Sequence, residues 1–495
     1  MTAKGSHFIN GQWIRGTGTA FRSHNPATGD SVWEGNEAQD QLVDTALLAA
    51  RQAFVEWSRQ DLAVRIGHLE AFRETLSKEK DAFARIISME NGKPLWDALT
   101  EVAAMINKVG ISIEAYKLRC PEMIKEHVPI KTLTRHRPHG VMAVLGPFNF
   151  PGHIPTGHIV PALLAGNTVV FKPSEFTPLA GEMLVKIWES SGLPSGVINL
   201  VQGGRKTGAY LSQHSEINGL LFTGSWKTGK ALAEMMAKTP NKILALEMGG
   251  NNPLIVSQVE DLQSAAYLTI QSAFLTTGQR CTCARRLIIP TGQRGDHFLN
   301  TLISMTKTLR VGPYTETPEP FMGPVISRQT AENLLKAQND LVARGGVALL
   351  PMRPLDIGKA FVTPGLIDVT SIEERSDEEY FGPLLQVIRV NDFAAAIEEA
   401  NHTQYGLTSG LLSDSREEYE EFYRQIRAGV INWNTPTTGA TSAAPFGGIG
   451  HSGNNRPSGL YAADYCAYPV ASNEISKVTM PAKIAPGIEL VSYEK

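Results

Sequence analysis

Residues 278–284 read Gly-Gln-Arg-Cys-Thr-Cys-Ala and follow an apolar stretch, 265–274, with the look of a helix. A thiol is the best side-chain nucleophile near neutral pH, and its thiolate is the reactive form. Cys281 is therefore either a nucleophile or packing, and packing is the commoner fate of a free cysteine. A guanidinium next door, on Arg280, would favour the thiolate. Cys283 and Cys466 have nothing to lift them above packing. Glu247, in LEMGGNNP at 246–253, is a carboxylate at the end of an apolar strand beside two glycines. Held in a cleft it would act as a base; the plain alternative is a solvated strand end. Asn149, in PFNFP at 147–151, follows a buried strand between two prolines. A fixed amide N–H suits an oxyanion, although a lone Asn ordinarily stabilises a turn.

Two further segments suit phosphate and sugar. In FTGSWKTG at 222–229 a strand runs through glycines into a helix, and a helix N-terminus attracts phosphate. The spacing is Gly-x4-Gly rather than G-x-G-x-x-G, so it is weak evidence alone. In FKPSE at 171–175, Lys172 and Glu175 could reach ribose hydroxyls, or could simply be surface residues at a helix start.

The elements that must position these residues alternate. An Asn10-Gly11 turn predicts a hairpin over 8–15. Helical periodicity covers 41–57, 62–90 and 93–119. Residues 121–138, with Val128, Ile130, Thr132 and Thr134, read as strand suited to pairing with a remote segment or another chain. From 140 to 256 strands (140–146, 168–171, 195–201, 219–222) alternate with helices (178–191, 227–238). That order implies a parallel sheet covered on both faces, with ligands at the carboxyl ends of its strands. A second α/β region runs from about 250 to 450 and ends in a polar loop, 435–443, and a Gly-rich loop from 445.

With 495 residues and a hydrophobic fraction of 42% the chain can bury large cores, and a soft prior gives about three structural units. A net charge of -3 supplies no basic field for nucleic acid or membrane. Four cysteines are too few for a secreted disulfide scaffold, and a C-x-C without a second Cys/His pair is a poor metal site. No secretory signal or membrane-spanning run is visible, so a cytoplasmic location is expected.

Together, in this order and spacing, the segments resemble the aldehyde dehydrogenase superfamily along nearly the whole chain. The matching stretches are PFNFP, FKPSE, FTGS, LEMGGNNP, GQRC at 278–281, EYFGP at 379–383 and PFGGIGHSG at 445–453. The resemblance implies an α/β fold with a Rossmann-type NAD-binding domain (1–120 and 139–249) and an α/β catalytic domain (250–450). It also implies a β oligomerisation element with a C-terminal tail (121–138 and 451–495), and hence a homodimer or higher oligomer. It assigns Cys281 as nucleophile, Glu247 as general base and Asn149 as oxyanion donor. Lys172 and Glu175 match ribose contacts, Gly224 and Ser225 the pyrophosphate region, and Glu379 and Phe381 the nicotinamide side. Glu175 favours NAD over NADP, since a carboxylate repels a 2′-phosphate. No metal is required.

Some segments depart from the common pattern, namely the loop PFGGIGHSGNNRPSG and His153 where apolar residues are usual, and the runs 100–108, 245–253 and 461–466 go with them. They resemble the subgroup that oxidises N-succinylglutamate 5-semialdehyde in arginine breakdown. For such an acidic substrate Arg280, His153, Thr441 and Ser442 are the candidate binding residues, because a guanidinium pairs with carboxylate in two-pronged fashion. Arg280 could instead close a salt bridge inside the fold. The alternatives are glutamate or succinate semialdehyde as substrate, a CoA-acylating relative, against which Glu247 argues, or a non-catalytic binding protein on the same fold.

Overall fold

The computed structural model describes residues 2–127, 130–481 and 483–491. Val128 and the end of the expected C-terminal tail, 492–495, lie outside the described residues. The first large sheet has the strand order Ile243–Met248, Gly219–Gly224, Val141–Leu145, Thr168–Lys172, Ile198–Leu200, His7–Ile9, Gln12–Ile14. Its first five strands are parallel and the N-terminal hairpin is antiparallel. VMAVL and TVVFK are buried at every position, as strands covered on both faces must be. The hairpin turns at Asn10 and Gly11 with φ of 51° and 78°, the positive angles a two-residue turn needs.

Strand order reverses beside Val141–Leu145. Later strands add on one side through Thr168–Lys172 and on the other through Gly219–Gly224. Such a switch point opens a crevice at the carboxyl ends of the strands. The second large sheet runs Val347–Leu350, Gly365–Asp368, Leu384–Val390, Ala284–Pro290, Asn252–Val256, Thr408–Leu412, Val430–Trp433. The chain crosses from the first sheet to the second between Met248 and Asn252, so the segment after Glu247 lies where the two sheets meet.

The sequence-derived elements need three adjustments. The helical stretch 62–90 is two helices, Leu62–Lys78 and Lys80–Asn91, because Glu79 (φ -92°, ψ 7°) leaves helical geometry. The strand expected at 195–201 shrinks to Ile198–Leu200, since Gly196 turns the chain at φ 80°. The strand at 121–138 is Met123–His127 and Ile130–Pro138, and it pairs antiparallel with Ala467–Glu474 in a separate small sheet.

The helix Leu95–Arg119 matters most for the site. One side buries Ala98, Val102, Met105, Val109 and Ile113; another buries Asp97, Glu101, Lys108 and Ser112. Both sets recur at helical spacing. The apolar stripe packs in the core with Phe72 and Phe83, where each large side chain contributes about 1.5–3 kcal/mol. The polar stripe needs partners elsewhere in the fold, because unpaired buried charge is costly. Among the described residues no helix is long and apolar enough to cross a membrane.

Candidate active site

The helix Leu262–Phe274 ends in a turn whose Thr276, Thr277 and Gly278 are all left-handed (φ 54°, 56° and 68°). Two β-branched residues in that region are strained, so the turn must be held from outside. Thr276 Oγ1 donates to Asp97 Oδ2 (2.6 Å), Thr277 Oγ1 to Gly323 O (3.0 Å), and Arg285 Nη1 to Gly278 O (2.6 Å). A Cβ at Gly278 would lie 2.3 Å from Gly382 O. Beyond the turn, Asn252 Nδ2 donates to the carbonyls of Cys281 (2.6 Å) and Cys283 (2.9 Å). Asn149 Nδ2 donates to Gln279 O at 2.9 Å. Cys281 is thus a partly exposed thiol on a rigid loop, while Cys283 is fully buried.

Glu247 is the penultimate residue of the strand Ile243–Met248, and its carboxyl lies beside the Cys281 thiol and the Thr223 hydroxyl. Neither of its oxygens makes a hydrogen bond of good geometry. Burial pushes its pKa up to about 8; the thiol and Thr223 pull against that, and Glu379 adds to it. Burial, and then the neighbouring Glu247, push the Cys281 thiol well above its usual range. Arg280 does not offset this, contrary to expectation. Its Nη2 pairs with Asp97 at 2.8 Å, its Nε with Thr276 Oγ1, and its guanidinium lies 4.9 Å from the Phe150 ring centre. Burial would raise Asp97, but Arg280, Lys93 and Thr276 together hold it below the usual carboxylate range.

The Glu247 strand is clamped by the Gly-rich loop near the C-terminus. Glu247 bridges Gly453, Asn454 and Leu246 bond both ways, and Ser452 Oγ donates to Gly249 O at 2.7 Å. Glu101 Oε1 accepts from the N–H groups of Gly152 (2.9 Å) and His153 (3.1 Å), capping the helix His153–Ala165 that follows Asn149. Lys93 balances Glu101 at 2.7 Å in a pair 1% and 0% exposed. His153 is held well below its usual pKa by burial and by Lys108, Lys93 and Arg280. Ser442 accepts from Lys108 Nζ at 2.6 Å, whereas Thr441 is exposed.

The expected cofactor residues gather at strand ends. Lys172 is buried with Nζ 2.7 Å from the carbonyls of Pro173 and Gly203, and Glu175 is exposed 3.9 Å away. Gly224 ends its strand and Ser225 caps the helix Trp226–Met236, accepting from Thr228 N–H. That helix opens beside the switch point, where its free N–H groups suit a pyrophosphate. Glu379 Oε1 accepts from Gly250 N–H at 3.2 Å, and a Cβ on Gly249 would meet its carboxylate at 1.7 Å. Phe381 packs edge-on to Phe148, at 5.9 Å between ring centres. An exposed carboxylate, a buried lysine, a capped helix start and a glycine-only approach together fit a dinucleotide.

The aldehyde dehydrogenase family model matches residues 13–469. The chain belongs to the aldehyde dehydrogenase family. It is 54% identical, over 98% of its length and 99% of the relative's, to N-succinylglutamate 5-semialdehyde dehydrogenase of Pseudomonas fluorescens (strain Pf0-1). To the protein of the same name from Ectopseudomonas mendocina (strain ymp) it is 55% identical, over 98% and 100%. The crystal structure of 1-pyrroline-5-carboxylate dehydrogenase from Thermus with bound NAD superposes with a TM-score of 0.90 at 30% identity, over 96% of this chain and 93% of that one. This aldehyde dehydrogenase is an oxidoreductase with an α/β fold of the family's kind.

The sequence reading missed several residues that shape this dehydrogenase's site. Asn252 lies inside LEMGGNNP, and its place in that motif, between Asn251 and Pro253, was the available signal. Asp97, Glu101 and Lys108 share a helical period that marks a buried polar stripe. Arg285, fully buried and reaching Gly278, Gly382 and Arg280 carbonyls, left no signal in the sequence.

Proposed function

We propose that this protein oxidises N-succinylglutamate 5-semialdehyde to N-succinylglutamate with NAD, as a step of arginine catabolism. The chemistry rests on one observation: Cys281, Glu247 and Asn149 come from separate segments and meet on one rigid loop and strand end. The substrate rests on the names of relatives more than half identical over nearly their whole length.

Glu247 takes the Cys281 proton, and the thiolate adds to the aldehyde carbon to give a thiohemiacetal. The oxyanion is held by the second N–H of the Asn149 amide and by the Cys281 backbone N–H, which takes no partner among the described residues. Such a donor is worth about 2.7–4 kcal/mol. Lys172 and Glu175 would hold a ribose, Gly224 and Ser225 the pyrophosphate, and Glu379 and Phe381 the nicotinamide side. Bound there, NAD supplies the acceptor for the hydride that leaves the adduct. Glu247 then activates the water that cleaves the thioester and releases the acid. Arg280, His153, Thr441 and Ser442 line the acidic end of the substrate in this reading, with the Arg280 guanidinium fixed in place by Asp97.

The units 1–120 with 139–249, 250–450, and 121–138 with 451–495 serve as cofactor, catalytic and oligomerisation parts. In the third, Met123 and Ile124 are about half exposed (52% and 55%) on the edge strand Met123–His127, a surface suited to a second copy of the chain. A cytoplasmic homo-oligomer is the corresponding setting. The test is NADH formation by the purified protein on N-succinylglutamate, glutamate and succinate semialdehydes. A preference for either of the last two would overturn the substrate assignment, and equal turnover with NADP would overturn the cofactor.

A further inference from the structure

The helix Leu95–Arg119 carries a buried lysine, Lys108, that pairs with no carboxylate among the described residues. Lys108 is 1% exposed, and its Nζ meets the hydroxyls of Ser442 (2.6 Å) and Ser458 (3.4 Å). Burial pushes its ammonium down to about 7, and no acid pulls it back. Buried ammonium groups are ordinarily paired, as Lys93 is with Glu101 near the same helix. An ammonium has three donors, so one remains after both serines. Beside it stands His153, whose Nδ1 is buried without a partner and which feels Lys108, Lys93 and Arg280. Lys108 and His153 therefore stand with two hydroxyls, and the nearby Glu101 carboxylate is already taken by Lys93 and the N–H groups of Gly152 and His153.

That place adjoins the reacting groups. Lys108 also acts on His158, whose Nε2 lies 3.3 Å from Thr223 Oγ1. Thr223 in turn reaches Glu247. The segment that supplies Ser442 and Ser458 flanks Gly453, which bridges Glu247.

We propose that Lys108, with Ser442, Ser458 and His153, forms the subsite that takes a substrate carboxylate and so sets the preference for acidic aldehydes. The inference rests on the reading of the substrate given above. A lysine left unpaired costs stability in the free protein; a bound carboxylate completes the pair.

The experiment uses the full chain with NAD. Wild type is first compared on N-succinylglutamate 5-semialdehyde and on propanal; no preference there would sink the substrate reading itself, before Lys108 is touched. Given that preference, Lys108→Met, similar in length but neutral, lowers it about 100-fold, chiefly through KM. N-succinylglutamate raises the Tm of wild type through binding and raises that of Lys108→Met far less. N-acetylglutamate 5-semialdehyde, which keeps the α-carboxylate but lacks the succinyl one, tells the two carboxylates apart. A parallel loss on it assigns the α-carboxylate to Lys108, and a loss confined to the succinylated aldehyde assigns the succinyl group. A folded Lys108→Met that keeps the full preference overturns the proposal. Should that variant not fold, the double variant Ser442→Ala, Ser458→Ala gives the same reading: a reduced preference supports the subsite and an intact one overturns it.

Discussion

The floor and the wall of the cleft treat charge in opposite ways. On the wall, Lys93 closes on Glu101 and Arg280 on Asp97, and each pair also bonds backbone or a strained turn. On the floor, Glu247 and Cys281 lie side by side with no such closure, and both are pushed up by burial. Glu379, also pushed up, to about 7, is restrained only by Arg285 and one backbone N–H. Paired groups hold geometry; groups left open remain free for protons and substrate. Lys108 is the exception that sharpens the contrast, since it sits on the wall and is as open as the floor.

The largest effect is expected on the floor. Cys281→Ala removes the proposed nucleophile and should lower kcat for aldehyde oxidation by at least about 10⁴-fold, with Tm little changed because the side chain is partly exposed. NADH formation and a thermal melt read both quantities. A large fall in Tm would show that the thiol belongs with the groups that hold geometry.

Next is Glu247→Gln, which keeps shape and removes the proposed base. Turnover should fall about 10²–10⁴-fold, and an acyl adduct on Cys281 should accumulate, visible as a mass increase on the intact protein. In wild type the basic form of Glu247 grows as pH rises through about 8, so activity should climb over that range. The climb should be absent in Glu247→Gln. A variant that keeps turnover and its pH limb would remove Glu247 from the mechanism.

On the wall the effect moves from rate to stability. Lys93→Met leaves Glu101 buried with no cation and should cost about 3–5 kcal/mol, read by denaturant unfolding. Adding Glu101→Leu recovers only part of this, because the N–H groups of Gly152 and His153 then lose their acceptor. Equal stability of Lys93→Met and Lys108→Met would erase the distinction between closed and open lysines.

The floor was largely legible in the sequence, and the wall was not. Strands such as VMAVL are continuous apolar runs, so their burial follows from composition, and the strand-end motifs fall where a parallel sheet must bind its ligand. Cys281, Glu247 and Asn149 lie on or next to those ends. The wall depends on contacts between remote segments. Arg280 looked like a free guanidinium beside the thiol because Asp97, its partner, is far away in the chain. Thr276 and Thr277 gave no sign of left-handed geometry, since β-branched residues disfavour it and only the surrounding bonds impose it. The polar stripe of Asp97, Glu101 and Lys108 was visible as spacing, but which charges close on a partner is decided by the helix His153–Ala165, by Arg280 and by the loop bearing Ser442.

The last prediction tests the floor through stability alone. Below its usual value of 4.5 Glu247 is protonated in folded and unfolded chains alike; between there and about 8 the unfolded chain releases the proton while the folded one keeps it. The folded state then binds more protons, so its stability falls as pH rises through that window. Gln cannot ionise, so the Tm of Glu247→Gln should draw ahead of wild type from about pH 4.5 to about 8 and the gap should then level off. Glu379 contributes a similar slope but is present in both proteins, and most of it cancels in the difference. A gap that stays flat over this range would mean that Glu247 is closed on a partner after all, as the wall carboxylates are, and that the floor is not open in the sense its geometry implies.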